Sequence, residues 1–142
     1  MERDNEIIRI LQEQGVSCVI RRNGAIILEE GIGVKPLMKY LREDRTFFRG
    51  ASVADKVIGK AAAMLLAASG VGMVYGEVMS DAAADLLAAQ GIPFSCGKRV
   101  EYIHNRTNTG MCPLEEAVQP IDDPQLAFER VEARIAELMG TK

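Results

Sequence analysis

The chain has one histidine, no tryptophan and three widely spaced cysteines in 142 residues. These scarcities exclude whole classes of chemistry. Zinc sites draw on clustered cysteine, histidine and carboxylate ligands, and Cys18, Cys96 and Cys112 form no Cys-x-x-Cys pair. A sequence-local zinc knuckle and a thioredoxin-type redox pair are both ruled out. The odd cysteine count points to a reducing compartment. No metal and no cofactor are expected. Aromatic residues make up only 5% and do not interleave with the basic ones, so the stacking platform of a nucleic-acid binder is missing. A formal net charge of −3 gives no general pull toward nucleic acid. The longest apolar run, Ala61 to Ala68, falls well short of the ~20 residues that cross a bilayer. The first six residues are polar and acidic, with no hydrophobic stretch behind them, and read as no secretion signal. A cytoplasmic protein without membrane association is therefore expected.

What is present is the material of a globular domain. Apolar residues reach 48%, and the length suits one domain over residues 1–142. Charge is uneven. Lys35 to Lys60 holds seven basic and three acidic residues, whereas Pro113 to Met139 holds two basic and seven acidic ones. Two solvated faces account for this, and a basic rim for an anionic ligand is the alternative.

Apolar spacing predicts a helix from Glu2 to Gln14, stopped by Gly15. Strands at Ser17–Arg21 and Ala25–Glu29 flank Arg22-Asn23-Gly24, a strong hairpin signal. Pro36 opens a short helix running to Leu41. Ser52 is read as the start of the longest helix, ending near Ser69-Gly70. Its alanine-rich run is apolar on nearly every face, as in a buried helix. A strand follows at Val71–Tyr75, then a helix at Ser80–Gln90 closed by Gly91. Two strands are expected at Ile92–Ser95 and Arg99–Ile103, then a loop from His104 to Cys112 and a short helix at Pro113. Asp123-Pro124 opens a last amphipathic helix, a docking element over 123–139, with Phe128, Val131, Ile135 and Leu138 at helical spacing. Strand–helix–strand–helix–strand order implies right-handed crossovers and a partly parallel sheet. The expected class is α/β, a mixed sheet of about five strands with an N-terminal β-hairpin and helices on both faces.

Five groups of residues carry chemistry. Ser52-Val53-Ala54-Asp55 has the form of a capping box; Asp55 is either that cap or a carboxylate facing a pocket. Lys56 and Lys60, four apart, share one stripe of the expected helix. They are surface charges, or a pair held by Asp55, Glu77 or an anionic ligand. Glu77 lies in Tyr75-Gly76-Glu77-Val78-Met79-Ser80, at a strand-to-helix handover where open sheets bind ligands. Gly76 allows close backbone approach there, and Ser80 is an N-cap at a terminus that also suits an anion. Asn105-Arg106-Thr107-Asn108-Thr109 is a turn loop, or a recognition loop in which Arg106 offers a planar fork, with Asn105 and Thr109 beside it. Cys112, before Pro113, is an inert thiol, or a nucleophile with His104 as its partner.

The segments Val53–Ala62, Val74–Ser80 and Asn105–Pro113 together resemble an uncharacterised prokaryotic domain-of-unknown-function family with a cytidine-deaminase-like fold. The likeness extends roughly to Ile121. It implies a cytidine-deaminase-like three-layer sandwich. Zinc deaminases carry His-x-Glu or Cys-x-Glu at one helix start and Pro-Cys-x-x-Cys at the next. Here Val53-Ala54-Asp55 and Glu77-Val78-Met79-Ser80 stand at those places. The resemblance therefore implies a zinc-free pocket, lined by Asp55, Lys56, Lys60, Glu77, Ser80, Asn105, Arg106 and Thr109, for a nucleotide-like or phosphate-bearing small molecule. Two rivals stand beside that reading. One is an enzyme with Asp55 or Glu77 as acid/base or Cys112 as nucleophile. The other is a homo-oligomeric interaction protein without a ligand.

Overall fold

The computed structural model describes residues 2–31, 33–104 and 110–140, with side chains from Asn5 onward. Helix α1 (Glu2–Gln14) leads into strands β1 (Cys18–Arg22) and β2 (Ala25–Glu29). Helix α2 (Lys35–Glu43) precedes β3 (Ser52–Ile58), α3 (Lys60–Ala68), β4 (Met73–Ser80), α4 (Asp81–Ala89) and β5 (Phe94–Val100). Helix α5 (Pro113–Val118), a 3-10 turn (Pro124–Leu126) and α6 (Ala127–Leu138) complete the order. The five strands form one open mixed sheet, β2-β1-β3-β4-β5. The hairpin pairs antiparallel within itself, β1 pairs antiparallel with β3, and β3, β4 and β5 run parallel. Asn23 and Gly24 both have positive φ, 52° and 81°, as the tight turns that match strand twist require.

Alternation along the strands divides the core in two. Val19, Ala54 and Tyr75 face α1, which covers them with Ile7 and Leu11. Cys18, Ile20, Val53 and Val74 face the other way, under α2 to α6. Ala61 to Leu66 of α3 are all buried. Alanine suits this place because it lets a helix lie close to both sheet and neighbours while losing no side-chain entropy.

The expected helix from Ser52 does not exist over its first seven residues. Ser52 to Ile58 is the central strand, paired with both β1 and β4. Polar Ser52, Asp55 and Lys56 do not alternate with its apolar residues, so the segment carries no period-two strand signal. The capping box at Ser52 and Asp55 goes with it, as does the shared helical stripe of Lys56 and Lys60. Lys56 is an exposed strand residue, and Lys60 is the first residue of α3. The strand at Val71–Tyr75 runs instead from Met73 to Ser80, through Gly76. Strands expected at Ile92–Ser95 and Arg99–Ile103 are one strand, passing through Gly97. Gly97 is no break. A Cβ there would lie 2.9 Å from the Glu77 carbonyl oxygen and 3.0 Å from the Tyr75 hydroxyl.

The two charged segments meet each other. Arg42 of α2 makes a two-pronged pair with Glu132 of α6, at 2.9 and 2.7 Å, and Arg45 pairs with Glu129 at 3.2 Å. The Arg45 guanidinium also lies 3.5 Å from the Phe128 ring centroid. Much of the basic stretch thus fastens the acidic terminal helix, together with the burial of Ala127 and Val131.

Candidate functional site

Parallel strands β3, β4 and β5 end together. Their carboxyl ends, Ile58, Ser80 and Val100, form one rim, since Ile58 is in register with Met79 and Ser80 with Val100. In open α/β sheets this edge is where ligands bind. Two helices begin on it, and their first amides are handled differently.

At α3 the first two amides meet a side chain from far along the chain. The Lys60 N–H donates to Glu115 Oε1 at 2.6 Å, and the Ala61 N–H to Oε2 at 3.0 Å. Glu115 is 9% exposed. Burial raises its pKa above the ordinary glutamate value, against the two amides and Lys60, which favour the charged form. A carboxylate also offsets the positive end of a helix dipole. Gly59 makes room for it, because a Cβ at that position would lie 2.5 Å from the carboxyl group. The Lys60 ammonium donates to the Gln119 carbonyl at 3.1 Å and lies 3.8 Å from Asp122. The seat is thus built from β3, α3 and α5.

At α4 the cap is local. Ser80 Oγ accepts the Ala83 N–H at 3.1 Å, and Asp81 pairs with Arg99 of β5 at 2.9 Å. Beyond β5 the rings of Tyr102 and His104 stack at 4.7 Å. His104 bridges to Met111, and the Cys112 N–H donates to the Ile103 carbonyl at 2.8 Å. Asn105, Arg106 and Thr109 lie between these points, outside the described residues. Cys112 is half-buried, at the start of the six-residue α5.

The remaining candidates are not gathered at the rim. Asp55 sits mid-strand, 5% exposed, on the face covered by α2 to α6. Its Oδ1 accepts the Val57 N–H at 3.2 Å, while Oδ2 is buried with no hydrogen-bond partner. Cys18 is its register partner on β1. Burial raises Asp55 to a pKa of about 7, and burial followed by the charge of Asp55 pushes the Cys18 thiol well up. Glu77 lies on the opposite face of the sheet. It accepts from the Tyr75 hydroxyl at 2.8 Å and from Gln12 of α1 at 3.4 Å. Asp55 and Glu77 therefore share no pocket. The close approach at Gly76 is made by Ile58, whose side chain would lie 3.0 Å from a Cβ there. Of the five expected ligand residues that are described, Lys60 and Ser80 stand at the rim.

Sequence reasoning missed Glu115 and Cys18. Glu115 is 55 residues from its partner amide, and no spacing rule reaches that far. Gly59 between an apolar run and a helix was its one local trace.

Helix α3 starts with Gly59-Lys60-Ala61 and α4 with Ser80-Asp81-Ala82, and neither offers the imidazole or thiolate donors that zinc takes. Among the described residues, no three His, Cys, Asp or Glu side chains come together as a metal site.

An open five-stranded mixed sheet, with helices leaving a common carboxyl rim, defines a small mixed α/β domain. The model of the TM1506 family, a domain of unknown function also called DUF1893, matches residues 6–135, and the chain belongs to that family. The crystal structure of a DUF1893 family protein (TM1506) from Thermotoga maritima is similar, with a TM-score of 0.82 and 25% identity over 92% of this chain and 88% of that one. No curated protein matches.

Proposed function

We propose that this protein binds a small anionic molecule, nucleotide-like or otherwise phosphate-bearing, at the carboxyl rim of β3, β4 and β5. One observation carries the reading: the α3 end of the rim already holds an anion, the Glu115 carboxylate on the Lys60 and Ala61 amides. Amides at a helix start are anion receptors, and here the chain itself demonstrates the chemistry. Lys60 adds a cation beside the seat, and Ser80 marks the neighbouring helix start. The connection carrying Asn105, Arg106 and Thr109 leaves from β5 and returns at α5, so both of its ends belong to this rim. A zinc-free, cytidine-deaminase-like sandwich remains the architecture that the strand order and the edge hairpin suit.

Calorimetric titration with inorganic phosphate and with a nucleoside 5′-monophosphate tests this. The nucleotide is expected to bind more tightly than phosphate, and Lys60→Met to weaken both about tenfold, the equivalent of ~1.4 kcal/mol. Absence of binding by either probe to the wild-type chain contradicts the reading.

A second reading rests on the orphan Oδ2 of Asp55. A buried carboxyl with a pKa near neutrality can act as acid or base. It would add a component to the pH dependence of nucleotide affinity beyond the ligand's own phosphate titration, and that component would vanish in Asp55→Asn. Identical pH profiles of affinity in the wild type and Asp55→Asn remove it.

A further inference from the structure

The outer edge of β2 has a different character from the rim. It is the end strand of the sheet, with no neighbouring strand beyond it among the described residues. Its register with β1 is continuous from Cys18↔Glu29 to Arg22↔Ala25. In an antiparallel pair, residues alternate between bonding inward and presenting their backbone outward. The two-residue turn makes Arg22 and Ala25 the closing bonded pair, so Ile27 and Glu29 also bond inward. Ile26 and Leu28 present their N–H and C=O groups to the outside.

The same two residues expose their side chains. Ile26 is 37% and Leu28 46% exposed, both on the α1 face, opposite Arg21 and Val19. Edge strands are ordinarily blunted by lysine, proline or a bulge. Ala25-Ile26-Ile27-Leu28-Glu29 has neither residue and no bulge. Apolar side chains and open hydrogen-bonding groups thus coincide, at positions two apart.

We propose that β2 is a self-association edge: two copies of this chain pair their β2 strands antiparallel about a two-fold axis at Ile27. The pattern is self-complementary. Ile26 of each copy then stands opposite Leu28 of the other, and these are the residues with outward backbone groups. The four exposed side chains meet on one face. Charge selects the antiparallel direction. Glu29 and Glu30 end the strand, and a parallel alignment would set them beside their own copies, where like charges repel. The antiparallel alignment sets Glu29 opposite Ala25 and Glu30 opposite Gly24. The result is a continuous ten-stranded sheet across the pair.

Sedimentation velocity over a dilution series of the full chain tests the proposal. The wild type is expected to pass from monomer to dimer as concentration rises. Ile26→Lys with Leu28→Lys puts two introduced lysines opposite each other at both bonded pairs and is expected to stay monomeric. Ile26→Lys with Leu28→Glu puts opposite charges at the same places and is expected to dimerise. Both positions are exposed, and far-UV circular dichroism checks that the fold is kept. A wild type that is monomeric throughout, a dimer that survives the double-lysine change, or failure of the lysine–glutamate variant to dimerise each overturns the proposal. The first outcome leaves the edge to other partners, such as an extended peptide.

Discussion

Helices α3 and α4 leave adjacent parallel strands at the same edge of the sheet, and both are short and alanine-rich, α3 largely buried and α4 buried on one face. They differ in how the chain meets their first amides. Helix α4 uses the residue just before it, Ser80, in the ordinary way of N-caps. Helix α3 has Gly59 in that place, with no side chain to offer, and takes a carboxylate from α5 instead. A local cap fixes one helix end. A remote cap fixes a helix end and also ties the fold's C-terminal part to its central strand. It further places a buried anion where open sheets bind ligands.

The difference can be broken at several points. Glu115→Ala removes the acceptor of two amides and leaves a space at the rim, and a loss of about 3 kcal/mol in urea unfolding is expected. Gly59→Ala drives a methyl into the carboxylate and is expected to cost about 2 kcal/mol. That cost should fall close to zero in the Glu115→Ala background, since the two sites share one contact. Equal cost in both backgrounds would mean that Gly59 is needed for its backbone alone. Ser80→Ala at the local cap is expected to cost about 1 kcal/mol. The ranking of Glu115→Ala above Ser80→Ala is the quantitative form of the comparison.

A second contrast sets Glu115 against Asp55. Both are buried carboxyls, but Glu115 has an amide for each oxygen, and one Asp55 oxygen has no partner. Asp55 is raised in the folded chain from the usual 3.8 to about 7. Between those values the folded state holds a proton that the unfolded state has released. Stability linked to Asp55 is therefore full below about 4, declines as pH rises, and is lost above 7. Asp55→Asn should remove that decline and be the more stable form at alkaline pH, by ~2 kcal/mol. Unfolding curves of both proteins on either side of neutrality check this. A wild type that gains stability over the same range contradicts it.

Sequence made the local features legible and hid the distant ones. Asn23-Gly24 identified its hairpin because the turn chemistry sits within two residues. Ser80 identified the start of α4 for the same reason. Phe128, Val131 and Ile135 marked α6 by spacing, although Leu138 at the end of that stripe is half exposed. Ser52 to Ile58 was misread because its polar residues do not alternate with its apolar ones. Gly76 was read as a place of close ligand approach, and the close contact there is with Ile58. The expectation of five strands held although one was missed and another was divided. Opposed charge in two segments was plain, but that Arg42 and Arg45 meet Glu132 and Glu129 depends on how the helices pack.

The most direct test of the account asks whether the start of α3 is an anion receptor. Unfolding free energies of the wild type and of Glu115→Ala are compared in phosphate and in chloride at equal ionic strength. In the variant the two amides are open, and phosphate is expected to restore a substantial part of the lost stability by binding the folded state. In the wild type the carboxylate holds these two amides, which leaves phosphate only the rest of the rim around Lys60 and Ser80, and its effect on stability should be smaller. Equal effects of phosphate on the two proteins would contradict the central claim and leave Glu115 as a cap alone.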